Sequence, residues 1–147
     1  VMSIMDRHAA TLALRRPPVD DQADTRPWVL LVDDSSGYRQ LLVAALEKNG
    51  YRVAEASDGY QALEFVRTFQ PQLILLDTAM PGIGGYEVCK ILKADPRTRN
   101  VPVILLADNL GLQAKLRSRI AGAARSLDKS TQLSALLAAV EKVRGKS

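Results

Sequence analysis

From Trp28 onward, apolar runs of four to six residues alternate with amphipathic stretches of ten to fourteen. That rhythm predicts repeated strand–helix units around a parallel sheet. The first strand is read at 28–33, followed by a helix from about 36 to 48 with Ser35 or Ser36 as its cap and Gly50 beyond its end. Leu41, Leu42, Ala45 and Leu46 are expected to face the core. A second strand, 51–56, leads through Asp58-Gly59 to a helix carrying Ala62, Phe65, Val66 and Phe69, which Pro71 prevents from continuing. The third strand is 72–77. Met80-Pro81-Gly82-Ile83-Gly84-Gly85 then turns the chain into a helix over about 85–94, ended by Asp95-Pro96. The fourth strand, 101–107, is almost wholly apolar, as a strand buried on both faces requires. Leu112, Leu116 and Ile120 are spaced by four and form one seam of the next helix, closed by Gly122. A short strand at 123–127 and a last helix bearing Leu133, Leu136, Leu137 and Val140, capped by Ser130 or Thr131, complete five strands and five helices.

Composition sets the scale without changing that picture. The chain has 147 residues, 47% of them hydrophobic, enough for one domain with a proper core. Residues 1–27 contain Arg15-Arg16-Pro17-Pro18 and Asp20-Asp21-Gln22-Ala23-Asp24, and read as a poorly ordered tail or linker before a domain at 28–147. The one histidine, His8, has no cysteine or second histidine near it with which to hold a metal. No apolar run is long enough to span a membrane, and the N-terminus lacks a secretory core, so a cytoplasmic location is expected. The lone Cys89 forms no internal disulfide; Val88, Ile91 and Leu92 around it predict a buried helix face. Acid and base are segregated behind the net charge of +4: residues 28–89 are acidic on balance and 90–147 basic. Lys115, Arg117, Arg119 and Arg125 concentrate that base on or beside the fourth helix, a surface suited to an acidic partner. Aromatic residues do not interleave with it, which argues against single-stranded nucleic acid and leaves DNA binding unexpected.

The chemistry gathers where strands stop. Val29-Leu30-Leu31-Val32 ends in Asp33-Asp34, Leu73-Ile74-Leu75-Leu76 in Asp77, and Ser126-Leu127 in Asp128-Lys129. In an open parallel sheet, ligands bind beyond the carboxyl ends of the strands, where the strand order reverses. Carboxylates crowded there repel one another and call for a cation. Two or three oxygen donors with room for water suit Mg²⁺. A carboxylate beside such a metal is placed to attack a phosphoryl group, with Lys129 pairing to its oxygens. For any single Asp, a turn or helix cap is the simpler role. Four charged groups at matching positions make the pocket the stronger reading.

Val32-Asp33-Asp34-Ser35, Asp77-Thr78-Ala79-Met80-Pro81-Gly82 with Gly85, Val101-Pro102-Val103-Ile104-Leu105-Leu106, Gly122-Ala123 and Lys129 occur in that order. Over about 28–144 the chain resembles the receiver domain of two-component response regulators. The resemblance implies a doubly wound, five-stranded, flavodoxin-like (βα)5 fold, and a signalling protein that catalyses at most its own phosphotransfer and dephosphorylation. It implies Asp77 as phosphoacceptor, Asp34 as a direct Mg²⁺ ligand, Asp33 as one acting largely through water, and the Ala79 carbonyl as a further ligand. Lys129 would bridge to the acceptor carboxylate or its phosphate. A histidine kinase or phosphotransfer protein is the implied donor, with a downstream protein partner, through the basic fourth-helix face, or a homodimer as the output.

The chain departs from that pattern at the switch. Ala107 stands where the family carries Thr or Ser, Ser126 where it carries an aromatic residue, and Ser130 where proline commonly follows the lysine. The missing hydroxyl hydrogen bond is of the size that biases a two-state switch, about 0.5–1.5 kcal/mol when neutral and 1.5–3 to a charged group. A degenerate interaction module with the same fold and weak phosphate-driven switching is therefore the alternative reading. Asp108 is expected to cap the fourth helix or to crowd the pocket's rim. A haloacid-dehalogenase-type phosphatase fits poorly, since it needs Asp-x-Asp on the first strand. A Rossmann domain fits no better, without a glycine-rich loop there.

Overall fold

A computed structural model describes residues 24–145. Within them, β1 (Trp28–Val32), α1 (Ser36–Lys48), β2 (Arg52–Ala56), α2 (Gly59–Thr68), β3 (Leu73–Asp77), α3 (Gly85–Ala94), β4 (Val103–Ala107), α4 (Leu112–Ala121), β5 (Arg125–Asp128) and α5 (Leu133–Arg144) alternate along the chain. All strands pair in parallel, in the order β2-β1-β3-β4-β5. His8 and most of the expected tail lie outside the described residues. Residues 26 and 27 join the sheet's margin: the Arg26 carbonyl accepts from Arg52 Nε at 2.7 Å and the Pro27 carbonyl from Arg52 N at 2.9 Å.

Alternation along each strand divides the core between the sheet's two faces. Leu30, Val32, Ile74, Leu76, Val103 and Leu105 pack with Phe65 of α2, Val88, Cys89 and Leu92 of α3, and Ala121 of α4. On the other face Val29, Leu31, Leu73, Leu75, Ile104 and Leu106 meet Leu42 and Leu46 of α1 and Leu136 and Val140 of α5. The fold is doubly wound, as expected. Cys89 is buried, its Sγ donating to the Ala121 carbonyl at 3.4 Å.

Three local expectations are corrected. Leu41 is exposed, and Val43 takes its place in the core of α1; α1 packs a stripe shifted round from the one its leucines mark. The seam Leu112, Leu116 and Ile120 faces solvent, at 86%, 54% and 68% exposure, while Ser118 and Ala121 are the buried residues of α4. Small side chains on that face let the helix lie close to its neighbours. Caps also differ. Ser35 accepts from Tyr38 N as expected of a cap, but α4 starts after Gly111 rather than at Asp108, and α5 after Gln132, neither with a side-chain cap. Ser130 is engaged elsewhere: its N–H and hydroxyl donate to Asp128 Oδ1 at 2.8 and 2.6 Å.

Candidate functional site

Parallel pairing in register brings the strand ends together. Val32 lies opposite Leu76, so Asp33, the next residue after β1, comes beside Asp77 at the end of β3. Asp77 in turn pairs with Leu106, and Ala107 with Asp128, which sets Lys129 across the mouth of the sheet. The chain leaves β1 toward β2 on one side and returns to β3 on the other. The carboxylates therefore stand at the point where strand order reverses.

Asp33 is fully buried and Asp77 is 1% exposed, whereas Asp34 is open to solvent. Lys129 Nζ contacts Asp33 Oδ2 at 2.6 Å and Asp77 Oδ2 at 3.2 Å. The outer oxygens are held by backbone: Asp33 Oδ1 accepts from Ser35 N at 2.8 Å, and Asp77 Oδ1 from Ala79 N at 3.1 Å. Gly85 makes this turn possible. A Cβ on it would fall 2.1 Å from the Asp77 carbonyl oxygen, so the β3–α3 loop folds tightly under the end of β3 only with glycine there. Lys129 is positioned by its own N–H, which donates to the Ala107 carbonyl at 2.8 Å.

One ammonium does not balance three acids. Burial, aided by the Asp33 charge and opposed by the Ala79 N–H and Lys129, pushes Asp77 up to about 6. Burial also works against the charge on Lys129, but its pairing with Asp33 and Asp77 outweighs this and raises its pKa. Oxygens of Asp33, Asp34 and Asp77 lie within 4.8 Å of one another. Their hard-oxygen chemistry, the excess negative charge and one solvent-facing member fit a divalent cation that keeps part of its hydration shell.

The sequence-derived acidic residues and Lys129 thus converge. Ala107 is buried at the end of β4, with its methyl lining a cleft of about 440 Å³ beside Thr78, Ala79, Tyr86 and Arg117. Arg117 stacks over the Tyr86 ring at 4.0 Å. Ser126 sits half-buried on β5 and Asp108 is exposed. A wider cleft of about 720 Å³, lined by Gln70, Gln72, Asn100 and Arg144, lies at the opposite end of the strands, away from the carboxylates. Sequence reasoning missed Tyr38, whose ring covers Lys129 Nζ at 4.9 Å. Its place one turn into the helix after Asp33-Asp34 was the available signal.

Fold and acidic crevice together define a doubly wound parallel α/β domain with an acidic site at its strand ends. Residues 29–141 match the response regulator receiver domain, and the chain belongs to that family, whose setting is two-component signalling. It is 34% identical over 113 residues to Protein PilG of Pseudomonas aeruginosa, covering 77% of this chain and 84% of that one. With the response regulator PleD of Caulobacter vibrioides it shares 40% identity over 101 residues, 69% of this chain but 22% of PleD. The chain thus spans about a fifth of that relative's length. Among solved structures, a response regulator from Chloroflexus aurantiacus superposes with a TM-score of 0.80 at 29% identity, covering 83% of this chain and all of that one. Chemotaxis protein CheY4 of Vibrio cholerae gives 0.77 at 28%, covering 81% and 99%. Among the described residues, no helix is long and apolar enough to cross a membrane.

Proposed function

We propose that this receiver accepts a phosphoryl group on Asp77 from a histidine kinase or phosphotransfer protein and signals by protein contact. The observation that carries the reading is the buried Asp77 carboxylate, held by Lys129 and the Ala79 N–H within reach of Asp33 and Asp34. An Asp77 oxygen attacks phosphorus; the new O–P bond forms as the donor's bond to phosphorus breaks, and the donor leaves with the electron pair. Lys129 then pairs with a phosphoryl oxygen. Asp33, Asp34, Asp77 and the Ala79 carbonyl are the groups that would hold Mg²⁺. When bound, the ion supplies charge neutralisation on the transferring oxygens and alignment of the leaving group. Incubation with acetyl phosphate and Mg²⁺ is expected to give a phosphate-sized mass adduct that a chelator prevents and Asp77→Asn abolishes. An adduct that persists in Asp77→Asn overturns the assignment.

The buried Ala107 methyl favours a second reading, an interaction module of the same fold in which phosphorylation has little leverage on conformation. Equal partner affinity of the wild type and Asp77→Asn would establish it. In either case the partner surface proposed is α4, where Lys115, Arg117 and Arg119 flank the exposed Leu112, Leu116 and Ile120. A cytoplasmic location belongs to the same proposal.

A further inference from the structure

Tyr38 stands in the first turn of α1, held there by its own N–H bonding to Ser35 Oγ at 3.3 Å. Its ring lies over the ammonium of Lys129, Nζ being 4.9 Å from the ring centroid, an attraction between a cation and the face of a π-system. That same ammonium touches both buried carboxylates. The phenol is therefore fastened to a cation that contacts the acceptor.

Its hydroxyl is buried and makes no hydrogen bond among the described residues. Buried hydroxyls nearly always find a partner, and one left without it is costly. The charges that act on this phenol are those of the pocket, Lys129, Asp33, Asp77 and Asp108, while burial raises its pKa and keeps the proton on the oxygen. Through Lys129, a donor with no partner among the described residues is thus tied to Asp77. Across the mouth, β4 ends in the Ala107 methyl, which offers no hydrogen bond to a group on Asp77.

We propose that Tyr38 is a phosphoryl-binding residue: its hydroxyl donates to an oxygen of the group carried on Asp77, supplying from α1 the hydrogen bond that Ala107 leaves unmade. The inference rests on Asp77 being the phosphoacceptor. Lys129 links the two, because an ammonium that pairs with a phosphoryl oxygen keeps the ring stacked on it in the same neighbourhood. Tyr38 offers a protonated hydroxyl rather than an oxygen anion. Its hydroxyl therefore distinguishes a phosphoryl oxygen from a bare cation.

Beryllofluoride, a noncovalent mimic of the phosphoryl group, provides the test, with affinity measured by calorimetry in saturating Mg²⁺ and Mg²⁺ affinity measured separately. Tyr38→Phe keeps the ring over Lys129 and removes only the unpartnered oxygen. It is expected to weaken beryllofluoride binding about tenfold, leave Mg²⁺ affinity unchanged and raise the melting temperature of the unliganded protein. Ala107→Thr introduced into Tyr38→Phe is expected to recover most of the lost affinity. Equal beryllofluoride affinity in the wild type and Tyr38→Phe overturns the proposal, as does a parallel loss of Mg²⁺ affinity or a failure of Ala107→Thr to recover binding. A wild type that binds Mg²⁺ but takes up no beryllofluoride overturns the phosphoacceptor reading itself, and is thereby told apart from a failure of Tyr38 alone.

Discussion

At the scale of single residues, the acidic site is a problem of charge solved by backbone. Two buried carboxylates share the Lys129 ammonium, and each turns its remaining oxygen toward a main-chain N–H from the loop that follows its strand. Those loops must be tight, and Gly85 makes the second one so. Gly85→Ala drives a methyl against the Asp77 carbonyl; overpacking of this kind costs about 1–3 kcal/mol. Chemical denaturation is expected to show that loss, together with reduced adduct formation at Asp77, because the Ala79 N–H sits in the displaced loop. The charged residues of the site were legible in the sequence because each follows an apolar run directly. Tyr38 was not, since an aromatic residue near a helix start is ordinarily core, and only its contact with Lys129 gives it a part in the pocket.

Helices and strands differed in how plainly they could be read. All ten elements form in the order the hydrophobic rhythm predicts, with the fourth strand beginning at Val103 rather than 101 and the fifth running Arg125–Asp128 rather than 123–127, but periodicity reports that a helix has an apolar stripe, not which way the stripe faces. For α4 the largest apolar side chains point outward, and Ser118 and Ala121 make the inward face. The Ser118 hydroxyl donates to the Ala114 carbonyl at 2.9 Å within the helix, so a polar residue is satisfied on the buried side. Tertiary packing decided the orientation, and a seam at helical spacing gave no warning. Leu116→Ser is accordingly expected to change stability by no more than about 0.5 kcal/mol, as thermal melts would show. Leu136→Ala in the buried face of α5 is expected to cost about 2–5 kcal/mol. If α4 is the partner surface, Leu116→Ser weakens binding without unfolding the domain. Added salt weakens it as well, through screening of Lys115, Arg117 and Arg119; salt-independent affinity would exclude the charged part of that surface.

For the molecule as a whole, the mouth of the sheet and its stability are coupled. The uncompensated acid at the carboxyl ends opposes folding, and a cation that binds only the folded state relieves it. Mg²⁺ is expected to raise the melting temperature in a saturable way, corresponding to about 2.7 kcal/mol at a hundred times its dissociation constant. Asp34→Asn, which removes the solvent-facing donor, is expected to blunt that shift. A melting temperature indifferent to Mg²⁺ would argue that the acidic cluster is not a cation site.

The sheet also has two outer margins, β2 and β5, and neither is blank. Strand β2 carries Arg52 and Glu55 among its five residues, with Arg39 at 3.4 Å from Glu55, while β5 is four residues long and holds Arg125 and Asp128. An open strand edge is a template onto which another chain can zip, and short length and fixed charge are what discourage it. This receiver therefore guards both edges against continuing the sheet into a neighbouring copy.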